Sequence, residues 1–290
     1  MLNQFINNSD GLDPIQQSEI DRLNNLSDEA LQQLMIDVLP ILEHNRTVYN
    51  ANIEKYSNGK ELFNVIMNNW KSETSQYRKV AMVGLGKLGK DCAEVMAEKH
   101  TVRGYDIYPR TSDKVKVCDI EECVNASEWI FIAVPTPHEE GYDGSIPSSH
   151  MTPKDFGHDA VKDALQKVNQ YAKTTKKVVL ISTVLPGTTR RKFITLLDPK
   201  HQFCYNPYLI AMGSVKWDMV NPEMIMIGTE DGNPNALAGE LRDLYNTVMQ
   251  NNPRYEIGTW DECEAMKIFY NTFISAKVGL VNMVQDFAMR

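Results

Sequence analysis

The run VGLGKLG places three glycines at Gly84, Gly86 and Gly89, with Leu85, Lys87 and Leu88 between them. A short apolar stretch, KVAMV, precedes the run, and a stretch that suits a helix follows it. The next apolar stretch, TVRGYD, ends in Asp106. Glycines at this spacing, set between strand and helix and followed by an acid at the end of the next strand, are a dinucleotide-binding pattern. Gly84 permits the tight turn, Gly86 lets the backbone approach a pyrophosphate, and Gly89 lets helix and strand pack closely. The helix amino terminus then offers N–H groups and a partial positive charge to phosphate. Asp106 is placed to accept hydrogen bonds from the adenosine ribose hydroxyls. Its charge repels a 2′-phosphate, so the pattern points to NAD rather than NADP. Arg110 is near enough in sequence to offset that repulsion. A tight βα turn without a ligand is the alternative reading.

Other groups carry less chemistry. His138, His150 and His158 fall in or near the polar segment HEEGYDGSIPSSHMTPKDFGHD, with Glu139, Glu140 and Asp143. Their spacings fit no zinc pattern, and a loop bordering a cleft is the plainer reading, so no metal is expected. Arg190, Arg191 and Lys192 form a basic cluster that reads either as a phosphate contact or as a solvated face near a helix start. Five cysteines, Cys92, Cys118, Cys123, Cys204 and Cys263, are odd in number and irregularly spaced. That predicts a reduced, cytoplasmic setting without a disulfide framework.

These residues need elements to hold them. Short apolar runs recur from Arg78 onward: KVAMVG, TVRGYD, EWIFIAVPTP, KKVVLISTVLPG, QFCYNP and PEMIMIG. Helix-suited stretches lie between several of them, at Lys87 to Lys99, Asp155 to Lys173 and Asn235 to Gln250. Buried strands alternating with helices predict an α/β fold with a mostly parallel sheet. From Asp261 onward the chain holds no proline and a single glycine, and reads as one long helix. Residues 1–77 lack this rhythm. Ser27 is placed to cap a helix with Asp28 and Glu29 in its first turn. Leu31, Leu34, Met35, Val38, Leu39 and Leu42 follow at helical spacing, and Pro40 should kink or end that helix. A second amphipathic piece spans about Lys60 to Trp70. The expected organisation is a helical extension at 1–77, a Rossmann-like domain at 78–257 with helices on both faces of the sheet, and a long C-terminal helix at 258–290.

At 290 residues and 42% hydrophobic content the chain can bury a sizeable core. The net charge of −8 argues against nucleic acid or an anionic membrane as the main partner. No apolar run is long enough to span a bilayer, and no basic-then-apolar leader is expected.

Five segments in order resemble the UDP-glucose/GDP-mannose dehydrogenase family, the NAD-dependent nucleotide-sugar dehydrogenases. They are VGLGKLG, IFIAVPTP, ISTVLPGTT, YNPYLIAMG followed by WDMVNPEMIMIG, and EAMKIFYNTF. The resemblance implies that Val134, Pro135 and Thr136 end a strand beside the cofactor. It implies that Ser182 and Thr183 end the next strand near the nicotinamide and the reacting centre. Lys267 and Asn271 match the lysine and asparagine that poise a water and stabilise oxyanion character. Their spacing of four puts them on one helix face, and an ammonium near a developing alkoxide stabilises the transition state. From spacing alone Lys267 reads instead as a solvated lysine.

The sequence also departs from that pattern. Tyr208 and Met212 stand where the family carries acids, and Met224 stands where it carries an arginine. The resemblance places the catalytic cysteine, and a second nucleotide-binding domain, beyond Arg290. None of the five cysteines lies in the glycine-rich loop that pattern requires, so oxidation through to the acid has no evident thiolate nucleophile. Three readings follow. The first is an NAD-dependent oxidoreductase acting on a nucleotide-sugar alcohol. The second is an NAD-binding half-enzyme completed by a second chain. The third is a non-catalytic module. The first is favoured for reaction class and cofactor. The long apolar helix implies a homodimer or another packed partner.

Overall fold

The computed structural model describes residues 77–146 and 150–289 of the chain. The helical pieces expected up to residue 76 lie outside the described residues. From Lys79 the order is β1 (Lys79–Val83), α1 (Lys87–Met96), β2 (Thr101–Tyr105), β3 (Lys116–Val117), α2 (Ile120–Asn125), β4 (Trp129–Ile132), α3 (Asp159–Tyr171) and β5 (Lys177–Leu180). A wide helical turn at Thr189–Phe193 leads to β6 (Gln202–Tyr205), α4 (Val215–Val220), β7 (Met224–Thr229), α5 (Ala236–Val248), β8 (Arg254–Thr259) and α6 (Trp260–Ala288).

The strands form one eight-stranded sheet in the order β3-β2-β1-β4-β5-β6-β7-β8. Every adjacent pair is parallel except β6 with β7. Both faces are covered, which explains why the central strands are apolar at every position rather than at alternate ones. In β1, Val80 and Met82 join one core layer with Cys92 and Met96 of α1 and with Leu241 and Tyr245 of α5. Ala81 and Val83 join the opposite layer with Leu165 and Val168 of α3 and with Trp260 of α6. The period of two in the strand thus feeds two cores at once. The expected α/β architecture, Rossmann-like with helices on both faces, is the one observed.

Four elements were not read from the sequence. β3 is two exposed residues, α2 and α4 have six residues each, and β8 is an edge strand whose burial is only partial. None is long or apolar enough to give a periodic signal.

α6 begins at a capping box. The Thr259 hydroxyl accepts from the Glu262 N–H at 3.2 Å, and the Glu262 carboxylate accepts from the Thr259 N–H at 2.8 Å. Trp260, Cys263, Glu264 and Lys267 are buried, while the turns from Asn271 onward are exposed.

Candidate active site

β1 is flanked by β2 on one side and β4 on the other, so its successive connections depart in opposite directions. Parallel sheets of this kind form a crevice at the carboxyl ends of the strands where the order reverses. A cleft of about 780 Å³ lies there.

The glycine loop forms one wall. Gly84 has φ of +98°, and a Cβ there would stand 2.5 Å from the Ala133 carbonyl oxygen. A Cβ on Gly89 would stand 1.9 Å from the Gly84 carbonyl oxygen. Gly86 is different. A Cβ there would meet nothing within 4 Å, so its bareness serves the cleft and not the packing. No side chain caps the amino terminus of α1, which leaves its first-turn N–H groups for a ligand. A bare backbone cradle and an uncapped helix end fit a dinucleotide pyrophosphate.

Asp106 does more than its position predicted. Its carboxylate accepts from the Leu85 N–H at 2.8 Å and from the Tyr108 N–H at 2.9 Å. It therefore fixes the glycine loop while lining the cleft. The Arg110 guanidinium lies 3.6 Å away.

The carboxyl ends of β4 and β5 are stitched together by two hydroxyls. Thr136 donates to the Thr183 carbonyl at 2.6 Å, and Ser182 donates to the Val134 carbonyl at 2.7 Å. Val134, Pro135, Thr136, Ser182 and Thr183 all line the cleft.

Lys267 and Asn271 line it from α6. Lys267 is only 9% exposed. Its Nζ donates to the Tyr208 carbonyl at 2.7 Å, and burial lowers its pKa from the usual lysine value. Glu264, one turn earlier, holds the helix in place. Its carboxylate accepts from the Gly187 and Thr189 N–H groups at 2.5 and 2.8 Å, and burial raises its pKa.

Among the residues proposed from the sequence, Gly84, Gly86, Lys87, Leu88, Asp106, Val134, Pro135, Thr136, Ser182, Thr183, Lys267 and Asn271 meet at this one cleft. Leu85 and Gly89 lie behind it, the first as the partner of Asp106 and the second as the packing contact of α1 on Gly84. The sequence reading missed Tyr105, Asp163 and Lys167, which also line the cleft. Asp163 and Lys167 are an i, i+4 ion pair at 2.8 Å on α3, and that spacing was the available signal.

Tyr208, at the position where the family carries an acid, also lines the cleft but turns its ring inward. Its hydroxyl pairs with that of Tyr245 at 2.7 Å, and Tyr245 donates to Asn206 Oδ1 at 2.5 Å. Met212 is exposed at the cleft. Met224 opens β7 outside it.

The other constellations fall elsewhere. His158 is buried, its ring edge-on to Phe193, while His138 and His150 are exposed. Arg190 pairs with Asp261 at 2.9 Å and Lys192 with Asp155 at 2.7 Å, while Arg191 donates to the Pro186 carbonyl. This cluster knits the turn after β5 to its surroundings instead of presenting a purely solvated face.

Comparison with known proteins places the chain among nucleotide-sugar dehydrogenases by similarity. The sequence model for the NAD binding domain of the UDP-glucose/GDP-mannose dehydrogenase family matches residues 110–249. The UDP-glucose 6-dehydrogenase of Rickettsia prowazekii (strain Madrid E) is 25% identical over 208 residues, covering 70% of this chain and 44% of that enzyme. The UDP-N-acetyl-D-mannosamine dehydrogenase of Methanococcus vannielii is 24% identical over 236 residues, covering 73% of this chain and 52% of that enzyme. Among solved structures, a UDP-glucose dehydrogenase from the hyperthermophilic archaeon Pyrobaculum islandicum matches with a TM-score of 0.59 at 25% identity, over 72% of this chain and 52% of that one. The chain thus spans about half the length of these relatives. Residues 110–249 thus match the NAD binding domain of the UDP-glucose/GDP-mannose dehydrogenase family, and the chain is similar to nucleotide-sugar dehydrogenases over about 70% of its length.

Proposed function

We propose that this chain binds NAD in the cleft at the carboxyl ends of β1, β4 and β5 and oxidises a nucleotide-sugar alcohol there. The observation that carries the reading is the convergence of the glycine loop, Thr183, Lys267 and Asn271 on one cleft. The first turn of α1 and the bare Gly86 would hold the pyrophosphate, and Asp106 the adenosine ribose. NAD, when bound, supplies the hydride acceptor.

The chain's own residues prepare the alcohol. Lys267 Nζ stabilises the alkoxide that forms as the hydroxyl loses its proton. Its lowered pKa suits it to receive that proton in its neutral form. Asn271, one turn along the same helix, presents its amide to the same oxygen. Buried, Lys267 works in a medium where its charge counts for more than it would in water. Single-turnover reduction of NAD by a panel of UDP- and GDP-sugars tests the reading.

A second reading has its own support. Tyr208 and Met212 stand where the resemblance places acids. On that reading a second chain completes the site, and this chain alone binds NAD without turnover.

The long helix supports self-association. Met266, Phe269, Phe273, Leu280, Met283 and Phe287 are exposed and recur at alternating spacings of three and four, with Ala276 filling the remaining place. That is a two-helix seam, and a second copy of this chain supplies the matching face. Among the described residues no helix is long and apolar enough to cross a membrane, and all five cysteines are free. These support a cytoplasmic setting.

A further inference from the structure

We propose that Cys118 and Cys123 are a reversible dithiol–disulfide couple, a modification site remote in chemistry from the proposed oxidation of sugars. The two residues bracket the start of α2. Asp119 is the N-cap, its carboxylate accepting from the Glu122 N–H at 2.8 Å. Cys118 precedes the cap and Cys123 is the fourth helical residue. Those are the two positions whose side chains meet across a helix start when both are apolar. Here they carry sulfur. Cys123 is fully buried in the core layer beneath α2 and α3, and Cys118 packs against that layer while remaining half-exposed. Each thiol shifts the pKa of the other, as near neighbours do. The backbone on either side is fixed, since the Cys118 N–H donates to the Gly104 carbonyl and the Cys123 N–H to the Asp119 carbonyl, both at 3.0 Å.

The chemistry is asymmetric. The neighbouring Cys123 thiol holds the Cys118 thiol below its ordinary range, while Cys118 and burial push Cys123 up. Cys92, Cys204 and Cys263 are all buried, and burial raises each of them. Cys118 is therefore the thiol an oxidant reaches first. Its thiolate attacks one oxygen of hydrogen peroxide, the O–O bond breaks, and hydroxide leaves and is protonated to water. Cys123 sulfur then attacks the Cys118 sulfenic acid, the S–O bond breaks, and the second water leaves with the Cys123 proton. Two thiols lose two electrons and two protons, and one peroxide becomes two waters.

The test treats the full chain with hydrogen peroxide, alkylates it in denaturant and weighs the peptide that holds both cysteines. The expected product is two hydrogens lighter, alkylated at neither cysteine, and restored by dithiothreitol. Cys123→Ser should instead leave a sulfenic acid at Cys118 that dimedone traps. Alkylation of both cysteines after treatment would overturn the proposal. So would conversion of Cys118 to the sulfinic acid with Cys123 still alkylated. Equal rates of disulfide formation in native and urea-unfolded chain would also overturn it, because the fold would then contribute nothing.

Discussion

Lys267 Nζ donates a 2.7 Å hydrogen bond to the backbone carbonyl of Tyr208, and no carboxylate stands in that place. Tyr208 is in turn held by its hydroxyl contact with Tyr245, and Tyr245 by Asn206, whose Nδ2 donates to the Met226 carbonyl at 2.6 Å. The ammonium is thus positioned through the core of the sheet. Tyr245→Phe leaves Asn206 Oδ1 and the Tyr208 hydroxyl each short of a buried partner, which costs about 1–3 kcal/mol of stability. Turnover should fall with it while NAD affinity is unchanged, because the glycine loop is untouched. Denaturant titration and NAD calorimetry on the variant check both parts.

The three glycines should fail in different ways. Gly86→Val puts its side chain into open space on the cleft side. We predict an unchanged melting temperature and loss of NAD binding. Gly84→Ala meets the Ala133 carbonyl at a φ of +98°, and strain of this kind costs about 1–3 kcal/mol. Its melting temperature should drop. Thermal unfolding beside NAD titration separates the two outcomes.

His100 gives a pH dependence with a definite sign. It is 5% exposed, its Nδ1 accepts from the Arg78 N–H, and its Nε2 pairs with the Thr247 hydroxyl at 2.9 Å. Burial lowers its pKa to about 4 from the ordinary 6.5. Between those values the unfolded chain binds the proton and the folded chain does not, so stability is lost as pH falls from 6.5 to about 4. The full effect is on the order of 3 kcal/mol. The difference between wild type and His100→Gln in urea titrations across that range should show this slope, and above pH 7 the difference should be flat.

The exposed seam on α6 predicts a dimer. Phe273 and Leu280 lie two turns apart on it, 66% and 62% exposed. Wild type should scatter light as a dimer, and the double variant Phe273→Glu, Leu280→Glu as a monomer with its sheet intact. A monomeric wild type would remove the second copy from the account.

Much of this site is legible in sequence because its parts are local. The glycine loop, its flanking strands and Asp106 sit in one continuous segment, and Gly84 and Gly89 each have a steric reason within the fold while Gly86 is left bare toward the cleft. The central strands are equally plain, since two covered faces make them continuously apolar. What was not legible depends on distant partners. The grip of Asp106 on Leu85, the stitches Thr136–Thr183 and Ser182–Val134, and the Lys267–Tyr208 contact join residues 21, 47, 48 and 59 apart. No periodicity encodes such pairings. The short elements β3, α2 and α4 were missed because two or six residues complete no repeat.

The central claim is that NAD and a sugar alcohol react in this cleft under Lys267. It is tested most directly by a single turnover, with protein in excess over NAD, a panel of UDP- and GDP-sugars, and Lys267→Ala run beside wild type. The account predicts reduction of the nicotinamide by wild type with at least one sugar nucleotide, and none by the variant at equal NAD occupancy. Reduction at the same rate by both proteins, or none by wild type with NAD bound, would contradict it.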